Sequence, residues 1–199
     1  MNNETTNTQR SQMPGRYRPS LRFYHPNGKG SGAALEMNLH PAHDNVNGCI
    51  MMKIASQCAI GDPRGATPTF ARFDWENAIC VKLDFDDLCR VLQVFRGECE
   101  SIDGDRGIYH QTSRAATKIK LRHLVETISG YSLEVYRNSR VGDTSSYAHI
   151  ILSPVEALGL GEAIAGSMAV VAFGIPMLVE HDTSAYEAQE RRFRDVSAA

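Results

Sequence analysis

Three places in this sequence have the residue types for site chemistry. The segment 24–44, YHPNGKGSGAALEMNLHPAHD, holds three glycines, Lys29 and three histidines in a short space. A phosphate loop needs G-x-x-x-x-G-K-[ST] between a strand and a helix, and a dinucleotide loop needs G-x-G-x-x-G. Glycines at 28, 30 and 32 meet neither spacing, and the flanks read as strands, so a flexible hairpin is expected. His40, His43 and Asp44 have no third histidine or cysteine nearby and no helix to align them, which makes a polar loop of HPAHD. DGDRG at 103–107 lacks the glycine and distal glutamate of a calcium loop and reads as a turn. No serine or cysteine sits in a nucleophile elbow and no paired carboxylates stand out, so no enzyme is expected, nor any metal or cofactor.

A different chemistry is written in ATKIKLR. Side chains alternate across a strand, so Ile119 and Leu121 share one face while Lys118, Lys120 and Arg122 share the other. Arg22, Tyr24, Lys53, Lys82, Tyr109 and Tyr136 are candidates for the same exposed side, with Arg72 and Trp75 where a fourth strand starts. Cations interleaved with rings suit single-stranded nucleic acid, in which phosphates follow the cations and unstacked bases lie on the rings. The alternative is a solvated sheet face kept soluble by lysine. The formal net charge of −2 hides this pattern. Residues 84–105 carry seven acids against Arg90 and Arg96, whereas 108–140 carries six basic residues against Glu126 and Glu134.

The elements that must position these residues come twice. YH at 24–25 recurs at 109–110, 85 residues on, and the alanine pair of GAALEMNLH recurs in RAATKIKLR 82 residues on. Gly48 and Gly130 are also 82 apart. Alternation predicts strands near 21–25, 33–40, 49–57 and 70–83, then a helix over 84–96 capped by Asp84 and stopped at Gly97. The second set is 107–111, 116–123, 131–138 and 146–152, followed by a long apolar helix. Ser153 as cap, Pro154 at the first position and Glu156 completing a capping box mark its start. The fold class is therefore α+β, two tandem ββββα repeats with antiparallel sheets, over residues 20–97 and 106–180. A disordered arm (1–19) precedes this domain (20–180) and a polar tail (181–199) follows it. The run 157–179 has the length of a membrane span, but four glycines, a proline and the clear helix start favour burial by protein, in part by another subunit; a tail anchor is the alternative. Five cysteines without a C-x-x-C pair suit a reducing compartment, hence cytoplasm, with mitochondrial import as the alternative given three arginines in the arm.

Residues 21–178 resemble the Whirly single-stranded DNA-binding proteins, whose fold is shared by the kinetoplastid mitochondrial guide-RNA-binding proteins and, more distantly, by Pur-repeat proteins. The family's K-G-K-A-A-L segment is met by Lys29, Gly30, Ala33, Ala34 and Leu35, with two residues inserted and the second lysine absent. Its aromatic-Asp-Trp is met by Phe73, Asp74 and Trp75, and its last strand and apolar helix by YAHIILSPVEALGLGEAIAGSMAVVAFGIP. The resemblance implies a homotetramer with helices at the centre and single-stranded nucleic acid running along the sheets, DNA favoured over RNA, with little sequence readout. The function expected is thus single-stranded DNA binding in replication, recombination, repair or transcription; an RNA-binding or annealing module and a structural assembly without nucleic acid are the alternatives. Lys118, Lys120 and Arg122 are expected on phosphates and Trp75, Tyr109 and Tyr136 on bases. Lys29, Lys53, Arg72, Lys82 and Arg137 are expected to extend the track.

Overall fold

The computed structural model describes residues 20–42, 46–65, 67–125, 129–140, 142 and 144–174. The expected arm, His43, Asp44, the last part of the apolar run and the tail lie outside the described residues. The first unit contains β1 (Ser20–His25), β2 (Ala33–His40), β3 (Cys49–Ala59), β4 (Arg72–Phe73), β5 (Ile79–Leu83) and α1 (Phe85–Phe95). A short 3₁₀ turn at Ile102–Asp105 leads to the second unit: β6 (Ile108–Gln111), β7 (Ala115–Leu124), β8 (Gly130–Ser139), β9 (Ser145–Leu152) and α2 (Pro154–Phe173). Each unit is an antiparallel meander, β1-β2-β3 with β4 and β5 both on β3, and β6-β7-β8-β9.

Both sheets turn one face inward, and period-2 alternation decides which side chains go there. Leu35, Met52, Ile54 and Leu83 from the first sheet join Ile119, Leu121, Val135 and Leu152 from the second in one core with Leu88, Leu92, Leu160 and Ile164 of the helices. β9 packs against β2, β3 and β5, and α1 against α2 and β7, so neither unit closes a core alone.

The helix starts follow the sequence signals, and both N-terminal acids do more than cap. Asp84 and Asp87 form a complete capping box on α1, as Ser153 and Glu156 do on α2. Asp87 also takes His110 of β6, at 2.9 Å, and Glu156 takes His25 of β1, at 2.9 Å. Each repeat's first strand therefore pins the other repeat's helix, which gives the recurring YH a structural reason. The tyrosine faces out, and the histidine after it faces a helix N-terminus. At its other end, α2 presents last-turn carbonyls with acceptor capacity to spare, Val170 O taking the Gly174 N–H of the cap. The β2–β3 loop meets them, Ala42 N–H donating to Val170 O and Gly48 N–H to Val171 O. A Cβ on Gly48 would sit 2.6 Å from the Val171 carbonyl oxygen, so only glycine allows this approach.

Two expectations need correction, and the repeat proves to carry a register shift. The single strand at 70–83 is two strands, because Asp74 accepts hydrogen bonds from the Asn77 backbone and side-chain amides and closes a turn. Gln57 opposes Phe73 and Ile54 opposes Ile79, so three steps along β3 answer six along the outer chain. The matched residues of the two repeats also do not share one register. Tyr24 opposes Ala34, whereas the matched Ala116 opposes Gln111, two residues beyond Tyr109. Lys53 and Tyr136 hold corresponding places opposite Glu36 and Lys118, yet stand 83 residues apart. Finally, the glycine hairpin is held rather than flexible. Asn27 Oδ1 accepts the Lys29 and Ser31 amides, and buried Gln57 accepts from Asn27 N and Gly32 N while donating to the carbonyls of Asn27 and Ala59.

Candidate nucleic-acid interface

The outward face of the second sheet is built by strand alternation alone. Thr117, Ile119 and Leu121 are buried, which leaves Lys118, Lys120 and Arg122 on the open side. Register places Tyr109 of β6 beside Lys118, Lys118 beside Tyr136 of β8, and Tyr136 beside Tyr147 of β9. One transverse row thus carries three tyrosines and a lysine. The Tyr136 and Tyr147 rings lie 4.7 Å apart at 38°, and Lys120 Nζ stands 6.0 Å from the Tyr136 centroid. The next row reads Lys120, Glu134, His149. Tyr136 donates its hydroxyl proton to Glu134, which pushes the phenol up to about 12 and keeps it a neutral donor. Burial, followed by the charge on Glu134, raises Tyr147 as well.

Arg122 stands at the end of this track and is partly spent. Its Nε donates to Asp105 at 3.1 Å, in the turn where Asp103 and Asp105 have left-handed backbone. An exposed pair of this kind contributes little to stability, yet it offsets the charge that a phosphate would meet. Arg137 is not on this face. It shares the inward side with Leu133 and Val135, and its guanidinium donates to the Cys80 carbonyl of β5, bridging the two sheets.

The first sheet carries a second aromatic group. Tyr24 of β1 projects on the same side as Ala34 and Ala55, both fully buried, and meets Phe73 at 5.6 Å and Trp75 at 6.4 Å from the opposite edge. Small residues in mid-sheet let rings from the two edges touch. Next to this cluster, Arg22, Glu36 and Lys53 form a row. Burial pushes the Glu36 carboxyl up, but Asn38, Arg22 and Lys53 outweigh it and hold it below the usual range. Lys53 is therefore engaged by an acid. Lys29 in the hairpin, Arg72 on β4 and Lys82 on β5 are exposed.

The structure thus brings Tyr109, Lys118, Lys120 and Tyr136 together, groups Trp75 with Tyr24, and separates Arg137 from both. Sequence reasoning passes over Tyr147 and His149, although SSYAHIIL places both on one face by alternation; the segment has no lysine or arginine to draw attention. Among the described residues, no three His, Cys, Asp or Glu side chains gather as a metal site would require.

No family model matches the sequence, and no curated protein matches it. Solved structures do match. The plant transcriptional regulator PBF-2 superposes with a TM-score of 0.61 at 15% identity, over 79% of this chain and 84% of that one. WHY1 from Arabidopsis thaliana gives 0.59 at 16% identity, over 79% and 93%. MRP1/MRP2 of Trypanosoma brucei gives 0.53 at 14%, over 77% and 86%. With two antiparallel meanders, each followed by a helix and each sending its first strand to the other's helix, and with these structural neighbours, the chain has a Whirly-like fold.

Proposed function

We propose that this protein binds single-stranded nucleic acid, DNA in preference to RNA, along the outward faces of its sheets. The observation that carries the reading is the row Tyr109–Lys118–Tyr136–Tyr147 with Lys120 beside it. Ring faces accept any unstacked base, and the lysines between them lie where phosphates would pass, so recognition needs little sequence readout. Lys118, Lys120 and, more weakly, Arg122 take phosphates; Tyr109, Tyr136, Tyr147 and Trp75 take bases; Lys29, Lys53, Arg72 and Lys82 extend the track on the first sheet. The role is binding rather than catalysis, in replication, recombination, repair or transcription, in a reducing cytoplasm that suits five unpaired thiols.

The likeness to a guide-RNA-binding complex solved with its guide RNA, at a TM-score of 0.50 and 14% identity, supports RNA as the second reading. The deciding experiment is a salt titration of fluorescent single-stranded and duplex oligonucleotides, with matched DNA and RNA in competition. Single strands are expected to bind more tightly than duplex, with log affinity falling linearly in log salt. Lys118→Ala with Lys120→Ala should flatten that slope by roughly 0.7 for each phosphate the variant no longer neutralises. Salt-independent affinity, or none, would overturn the proposal in favour of a merely solvated sheet.

A further inference from the structure

The cationic face of the second sheet has an anion at its centre. Glu134 lies between Lys120 on one strand and His149 on the other. In the first sheet the acid of the Arg22–Glu36–Lys53 row is consumed by its surroundings: Glu36 is buried, bonded by Arg22 and Asn38 and paired with Lys53. Glu134 is only half-buried, and among the described residues its contacts are hydroxyl groups and no ion pair. Tyr136 donates to its Oε2, Ser132 approaches its Oε1 at 3.5 Å, and Ser132 Oγ lies 3.0 Å from His149 Nε2. An ionised carboxylate has about four lone-pair sites, so acceptor capacity is left over beside the paired rings of Tyr136 and Tyr147.

On a face meant for phosphates, an unpaired acid weakens binding unless it selects something. Acceptor-only groups select by donors. Guanine's Watson–Crick edge offers two adjacent donors, N1–H and the N2 amine. Adenine and cytosine offer one amine beside a ring acceptor, and thymine or uracil one N–H between two carbonyls. We infer that Glu134 reads guanine: a guanine stacked on the Tyr136–Tyr147 pair directs N1–H and N2–H to the two carboxylate oxygens. The inference rests on the nucleic-acid reading above and adds one base preference to an otherwise indifferent track.

The test uses thymidine oligonucleotides of about 15 nucleotides, a length within one protein's site size. They carry at the centre thymine, guanine, 7-deazaguanine or inosine, and the uridine RNA series is run in parallel. The comparison is read in whichever series binds more tightly. Guanine and 7-deazaguanine, which share the Watson–Crick edge, should bind on the order of tenfold more tightly than thymine. Inosine, which lacks the N2 amine, should fall back towards thymine. Glu134→Gln should raise affinity for the plain thymidine strand, by removing the anion, and cancel the guanine preference. Tyr136→Phe should keep that preference, because the carboxylate stays. Equal binding of guanine and thymine by the native protein, or a preference that survives Glu134→Gln, overturns the inference and leaves the parent reading standing. Failure to bind both the thymidine and the uridine strands at any salt overturns both.

Discussion

Tyr147 and Arg137 show how a single parity decides a residue's role. A search led by cations misses Tyr147, whose place beside Tyr136 follows from register. Arg137 reads as part of the track because it follows Tyr136, although the same alternation that exposes Lys118 and Lys120 turns it inward to the Cys80 carbonyl. The two should therefore fail in opposite assays. Tyr147→Ala is expected to cost roughly 1–3 kcal/mol of oligonucleotide affinity, the worth of one stacking platform, with unfolding nearly unchanged. Arg137→Ala should leave affinity and salt slope close to native and cost about 1–3 kcal/mol of stability, since it unpairs a partly buried carbonyl between the sheets. Anisotropy titration and urea unfolding of the same two variants separate the outcomes. A larger binding loss for Arg137→Ala than for Tyr147→Ala would reverse the face assignment.

At the level of elements, the local signals are readable in the sequence and the long-range ones are not. Caps, stops and alternation lie within a few residues of one another, so both N-caps, the Ser153–Glu156 box and all four strands of the second unit are anticipated, whereas the Asp84–Asp87 box is not. His25 meets Glu156 across 131 positions, and Gln57 clamps the hairpin from 30 residues away, pairings no local pattern encodes. The break between β4 and β5 depends on one Asp74–Asn77 turn inside an otherwise strand-like run. The two reciprocal pairs also differ in their response to pH. Burial pushes Glu156 up, but the Ser153 amide and hydroxyl with His25 outweigh it, leaving the carboxyl below its ordinary 4.5. Its stabilisation is therefore complete above that value and is lost as pH falls through the lowered one. Burial raises Asp87 above its ordinary 3.8, and the Asp84 amide and His110 do not offset it. The fold holds that proton more tightly than the unfolded chain, so Asp87 gains as pH falls through its raised value. Glu156→Gln should cost about 1 kcal/mol at neutral pH, a deficit that narrows on acidification. Asp87→Asn, which removes a carboxylate that burial disfavours, should cost less at neutral pH than Glu156→Gln. Urea unfolding of both variants between about pH 7 and pH 3 checks the order; a larger neutral-pH loss for Asp87→Asn would contradict it.

For the molecule as a whole, α2 poses the outstanding physical demand. It is long and apolar enough to cross a membrane by length and composition, and only 28% of its most apolar window is buried. Ala157, Leu160, Gly161, Ile164 and Val171 face the core, while Val155, Leu158 and Phe173 stand open. An N-terminus fixed by a capping box and His25, and a C-terminus bonded by the β2–β3 loop, tie the helix into the domain at both ends. The cover we propose for its open side is therefore other copies of the same helix, as in the tetramer that the Whirly resemblance implies. Gly159, Ala163, Gly166 and Ala169 on that side would let helix backbones approach closely. Leu158→Asp with Phe173→Asp changes two exposed residues, so the monomer should fold while light scattering reports a fall from tetramer to monomer. Binding should then divide by length. An oligonucleotide that fits one sheet keeps its affinity, because Tyr136, Tyr147, Lys118 and Lys120 all come from one chain. A strand long enough to cross between protomers loses the effective-concentration gain of a second site, a factor of about 10²–10⁴ where geometry allows both to engage. A native protein that is already monomeric would refute helix-mediated assembly. Equal losses for short and long strands would refute the continuous track.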